Sequence, residues 1–340
     1  MSSGVARIVT STLTLGSHTI TASYAGNSQY YASTASLTGN PQVVNQGDSS
    51  VAVVSSVNPS IVGQPVKFTA RVSAVAPATG TPTGTVTFLN ADTGAVMGTA
   101  TLSGGVAYYN ASALTVGTHN IAVSYAGDRR FTASTGSLVQ AVHLDSSSVS
   151  VTSSLNSSVI GQAVKFTIAV RAVSPATGAP TGTVTLFDNG NAIGSAPLTS
   201  GIAYITTNTL AVGSHAMSAS YSGDSKFTGS TGRMSTSQTV KQGSTSMTLK
   251  SSQNPSSIGQ VVSFTATVTA VWPATGTPAG TVIFLDGTNA IGSGTLSGGV
   301  ARFTTSALAS GSHTITASYD GDAKFSIKTV SMTGNPQLVK

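Results

Sequence analysis

The chain has 340 residues, 39% hydrophobic and only 7% charged; its nine acids are all aspartate, so the net charge of +6 reflects few acids rather than many bases. Cysteine is absent, which excludes disulfides, thiolate metal sites and cysteine nucleophiles together. The fifteen Lys and Arg are scattered singly apart from Arg129-Arg130, so the basic patch of a nucleic-acid binder is not expected.

In chain order, Met1 to Asn45 reads as the second half of a unit that appears whole further on. SSGVARIVTSTL near the start stands where SGGVARFTTSAL stands at Ser297 to Leu308. The block LGSHTITASYAGNSQY (Leu15 to Tyr30) returns from Val116, Val212 and Ser310, and its histidines His18, His119, His215 and His313 are 101, 96 and 98 residues apart. That spacing is one ordinary domain per repeat. A start in mid-domain is the mark of a fragment, or of a start assigned too late. Met1 to Ile20 carries neither the basic nor the apolar region of a signal peptide, and no run reaches the roughly 18 apolar residues of a membrane span.

In the first complete unit, VKFTARV (Val66 to Val72) puts Val66, Phe68, Ala70 and Val72 on one face and Lys67, Thr69 and Arg71 on the other. Period two of this kind predicts a half-buried antiparallel strand. A proline-rich bend, APATGTPTG, leads into TVTFLN with Val86 and Phe88 inward, then a turn at Asp92 to Gly94 and a short strand around Val96. Gly104-Gly105, Gly298-Gly299 and, less well, Ser200-Gly201 supply the positive φ of a tight reversal. In the repeated block, Ile121, Val123 and Tyr125 share a face, Gly127 turns the chain, Asp128 bonds the turn's amides and Phe131 re-enters the core. Strands at about ten-residue spacing, punctuated by Gly and Pro, predict a two-sheet sandwich of about seven strands per repeat, each with a small core.

The succession NPSIVGQPVKFTARV, GTPTGTVTFL and LTVGTHNIAVSYAGDRRFTAST resembles the bacterial immunoglobulin-like repeat domains of the group-three type, over essentially the whole chain. Two departures are Asn27 in place of the hairpin Asp, and Ser263 in place of Lys67 and Lys165. The resemblance implies an all-β array of tandem Ig-like sandwiches, used as spacer, stalk or adhesive module of large secreted or surface-anchored bacterial proteins, with no catalytic residues to carry over. The expected boundaries are 1–46 for the partial repeat and 47–145, 146–243 and 244–340 for three whole ones. Junctions as short as Lys241 to Ser244 cannot act as tethers. End-to-end sandwiches of limited bending are expected, each adding about 35 to 45 Å.

The aligned histidines invite a metal or acid/base role, but one per domain cannot close a zinc site, and the nearest aligned acid lies in the hairpin at the far end of the strand. A structural turn is the expectation for them, and a solvated linker position for His143. Calcium wants six to eight oxygens, and carboxylates are thin at the junctions, with Asp48 at one, Asp145 at another and none at the third. No cofactor, metal or catalytic residue is therefore expected. The candidate ligand contact is Trp272, the only tryptophan, on a loop where Ala76 and Ser174 stand elsewhere; packing on Pro273 is the commoner fate of such a ring. Tyr30-Tyr31 and Tyr108-Tyr109 are each expected to place one ring outward.

These readings point to a non-enzymatic, extracellular or cell-surface spacer, the stalk of an adhesin, whose partners are adjacent repeats. The alternative is a module binding a glycan or host protein through loop aromatics such as Trp272. Residues 1–45 are expected to be poorly ordered, docked on the next domain, or prone to association through open sheet edges.

Overall fold

The computed structural model describes residues 4–112 and 114–340 and is built from β-strands. It divides into two compact units, Met1–Leu144 and Asp145–Lys340.

In the first unit, a three-stranded antiparallel sheet orders Val106–Ala111, Val66–Ala74 and Ser49–Ser55. It faces a five-stranded sheet ordered Ser60–Ile61, Ser134–His143, Gly117–Tyr125, Thr85–Asn90 and Val96–Thr101. Alternation decides what lies between them: Val66, Phe68 and Ala70 from one sheet and Val86, Phe88, Ile121, Val123 and Tyr125 from the other are fully buried. Each such large side chain contributes about 1.5–3 kcal/mol on leaving water, so the core is small but complete. Tyr109 turns inward and stacks on Phe88 at 5.5 Å between ring centroids, while Tyr108 faces outward. The reversal at Gly104-Gly105 has φ of 58° and 77°, and a Cβ on Gly105 would lie 2.8 Å from the Val72 carbonyl oxygen, so only glycine closes it.

The partial repeat ahead of this sandwich forms two short antiparallel pairs, Gly16–His18 with Gln42–Val44 and Thr21–Tyr24 with Ser33–Ser36. No strands cover its inner face among the described residues. Both Tyr30 and Tyr31 are exposed, at 67% and 97%, which corrects the expectation that one ring of the pair turns inward. The reason is physical: an alternating strand buries a face only where a second sheet meets it.

The second unit holds two sandwiches on the same plan. In one, Ser147–Ser153, Val164–Ala172 and Ile202–Thr207 form the three-stranded sheet; in the other, Thr245–Ser251, Val262–Ala270 and Val300–Thr305 do. Phe166, Leu186, Ala219 and Tyr221 fill the first core, and Phe264, Phe284, Ala317 and Tyr319 the second. The Ser200-Gly201 reversal holds Ser200 at φ 51°, the strained counterpart of a Gly-Gly pair.

Candidate functional site

The repeated hairpin is a set of backbone clamps. Asp128 Oδ1 accepts from the amides of Arg130 (2.7 Å) and Phe131 (2.9 Å) within its own turn, and Oδ2 accepts from the amide (2.8 Å) and hydroxyl (2.7 Å) of Thr83 in the proline-rich loop. Asp224 repeats all four bonds with Lys226, Phe227 and Thr181. Asp322 keeps three, because Ala279 stands where the others have threonine. Partial burial pushes the Asp128 and Asp224 carboxyls up, but their hydrogen bonds outweigh it and hold both well below the usual carboxylate range. Asp322 is lowered in the same way. Burial first, and the neighbouring aspartate second, push the Tyr125 and Tyr221 phenols up to about 12. Ordered, acceptor-only carboxylates of this kind fasten a hairpin to a loop.

The four histidines sit at strand mouths and bond backwards. Nε2 of each donates to a carbonyl four residues earlier: Thr14 (2.6 Å), Thr115 (2.7 Å), Ala211 (2.8 Å) and Ala309 (2.8 Å). The structural-turn expectation describes this geometry, but the nearest acid was misplaced. Asp188 and Asp286, at the end of the adjacent strand, reach Nδ1 of His215 (2.8 Å) and His313 (2.6 Å). The register that pairs Asp188 with Met217 and Asp286 with Ile315 brings them there, and no linear spacing reveals it. The Ala309 carbonyl and then the Asp286 carboxylate raise the His313 pKa, since both ring N–H groups donate only in the imidazolium. In the first sandwich Asn90 takes the equivalent position and Asp92 bonds Asn120 instead, which lowers the Asp92 carboxyl. No group of three or more His, Asp or Glu converges among the described residues.

Within the second unit the two sandwiches share a joint. Ile160, at the end of Ser158–Val159 in the first of them, belongs to the buried core of the next, beside Ala274 and Phe325. Thr275 donates its amide to the Ile160 carbonyl (3.2 Å) and its hydroxyl to the Gly161 carbonyl (3.1 Å). Gly161 has φ 74°, and a Cβ there would land on the Thr275 hydroxyl. A plug and two hydrogen bonds thus fix one sandwich to the next. In the first unit Gly47, Ala78 and Phe131, the counterparts of Gly243, Ala274 and Phe325, line a cavity of about 1110 Å³, together with Leu13, Leu15 and Val44 of the partial repeat. Among the described residues of the partial repeat none takes the position of Ile160 at this cavity.

Trp272 is 86% exposed on the loop after Val262–Ala270. Asp145 was read only as a junction marker. It is 1% exposed, with Lys226 Nζ at 3.9 Å, and burial raises its pKa against the pull of that lysine. Its counterparts Gly47 and Gly243 carry no side chain, and nothing in the sequence signalled the burial.

The model of the bacterial Ig-like domain (group 3) matches residues 53–143, 151–241 and 249–334. The chain belongs to that family, an immunoglobulin-like and non-catalytic module. No curated protein matches the chain. Among solved structures it is similar to a three-domain immunoglobulin fragment of titin (12% identity, 85% of this chain and 98% of that one, TM-score 0.33). It is also similar to FdeC, an adhesin of Escherichia coli (16%, 84% and 97%, TM-score 0.28). A third similar structure contains the fibronectin(III)-like modules of Clostridium thermocellum CbhA (18%, 56% and 94%, TM-score 0.24).

Proposed function

We propose that the chain is a non-enzymatic spacer array of a bacterial surface or secreted protein, the stalk of an adhesin, whose units span 1–46, 47–145, 146–243 and 244–340. The observation that carries this reading is the joint within 145–340, where Ile160 of one sandwich completes the core of the next and Thr275 bonds its backbone. A linker free to bend would not spend a core residue on its neighbour. Membership in a bacterial Ig-like family supports the extracellular setting. Small-angle scattering tests it. The spacer reading expects a maximum dimension above ~100 Å, and a compact particle would contradict it.

The 86% exposure of Trp272 favours a second reading, a loop that binds a glycan or a host protein. It predicts saturable binding that Trp272→Ala abolishes without changing the scattering profile.

A further inference from the structure

Cations that are scattered along the sequence are gathered by strand alternation. On the outer faces of the three-stranded sheets, Lys67 and Arg71 stand exposed on Val66–Ala74, and Lys165 and Arg171 on Val164–Ala172. Lys250 and Arg302 flank Thr265 from the two neighbouring strands of the last sandwich. None of the nine aspartates lies on any of these strands. Among the described residues none of the six cations forms a salt bridge; the ion pairs found involve His215, His313 and Lys226. Tyr108 and Tyr204, each 55% exposed, hold the lysines in place: Lys67 Nζ lies 4.9 Å from one ring centroid and Lys165 Nζ 3.9 Å from the other. Around them the second face carries a hydroxyl row, Ser148, Ser150, Thr152 and Thr167, and the last one Thr248, whereas on the first face Thr69 stands beside the outward Ala52 and Val54.

We propose that these faces bind an acidic polysaccharide, its carboxylates paired by the unpartnered lysines and arginines and its hydroxyls by the serine and threonine rows. Two features favour a glycan over a nucleic acid. Each face offers two cations where a phosphate backbone calls for a dense track. The ammonium of a lysine already lies over a face of each tyrosine ring and competes there with base stacking. One face alone binds weakly, as exposed charge pairs do. A polymer that reaches more than one such face gains avidity.

The test uses the full chain and polygalacturonate at low ionic strength, with neutral dextran as the control polymer. Serine already stands at 263 in the lysine position, so Lys67→Ser with Lys165→Ser keeps the fold, which unchanged thermal unfolding verifies. The expected result is binding to polygalacturonate and not to dextran, weakened roughly tenfold by the pair, as for about 1.4 kcal/mol of lost contacts. A second pair, Arg233→Ser with Lys328→Ser, removes equal charge from the other sheets and is expected to leave binding within about twofold. Equal losses from both pairs, duplex DNA bound as tightly as polygalacturonate, or no binding at low salt would each overturn the proposal. Trp272→Ala is expected to have no effect on this binding, which separates it from the loop reading.

Discussion

Leu15 to Tyr30 and Val116 to Phe131 are nearly the same peptide in two settings. Both make the strand mouth, the histidine bond to a carbonyl four residues back, and the turn in which Asn27 or Asp128 accepts two backbone amides. Beyond that they part. Ile121, Val123 and Tyr125 are wholly buried and Phe131 is 1% exposed, whereas Ala22 is exposed, Tyr24 is half-buried and Tyr30 is 67% exposed. Asp128 also grips Thr83 in the facing loop, whereas among the described residues the Asn27 side chain bonds only the amides of its own turn. Local sequence therefore specifies the hairpin, while its worth to stability comes from the second sheet, in keeping with the marginal stability of isolated hairpins.

The largest expected effect is at the position where the two settings differ most. Phe131→Ala should cost the first sandwich about 3–5 kcal/mol, while Tyr30→Ala should change stability by no more than about 0.5 kcal/mol. Hydrogen exchange over 49–143 reads both, and similar losses would mean the half-repeat buries more than its exposure indicates.

Next comes the joint. Gly161→Ala and Gly259→Ala place a Cβ on the same left-handed backbone, φ 74° in each, but only at 161 does it meet Thr275. Both should lose about 1 kcal/mol to backbone strain, and Gly161→Ala a further ~1–3 kcal/mol from the collision. Faster exchange of the Thr275 amide in Gly161→Ala alone is the diagnostic; equal behaviour would dissolve the plug.

A smaller effect separates the clamps. Asp128→Asn should cost about 1–3 kcal/mol, as for hydrogen bonds to a charged group. Asp322→Asn should cost less, because that carboxylate holds three bonds instead of four. Since the folded carboxyls of Asp128 and Asp224 are depressed, their contribution is present above the unfolded value near 3.9 and is lost as pH falls through the folded one. Acid denaturation followed by circular dichroism should show stability declining below about pH 4, less steeply in Asp128→Asn with Asp224→Asn.

The smallest effect has the opposite sign. The raised pKa of His313 means that its pairing with Asp286 stabilises below the unfolded value of about 6.5, and the contribution is lost as pH rises through the folded value. Asp286→Asn should reduce that pH dependence, by about 0.5 kcal/mol, and lower the His313 NMR titration midpoint in part, since the bond to the Ala309 carbonyl remains.

Much of this was legible in the chain. Period two in VKFTARV named the buried face, and Gly127 and Asp128 named the turn, because strand faces and turns are set by neighbours in sequence. The His215–Asp188 pair, the Thr83 grip on Asp128 and the Ile160 plug were not, because each depends on register or on two loops meeting across a long stretch of chain. The exposure of both Tyr30 and Tyr31 was misjudged because alternation says which side a ring takes and says nothing of whether a sheet waits there.

The most direct test of autonomous, serially joined sandwiches is to stretch single molecules between their ends. Three force peaks are expected, each releasing about 90 residues, or roughly 300 Å at ~3.4 Å per residue, with the partial repeat yielding no peak of its own. A single cooperative rupture, or a fourth peak from residues 4–46, would contradict it.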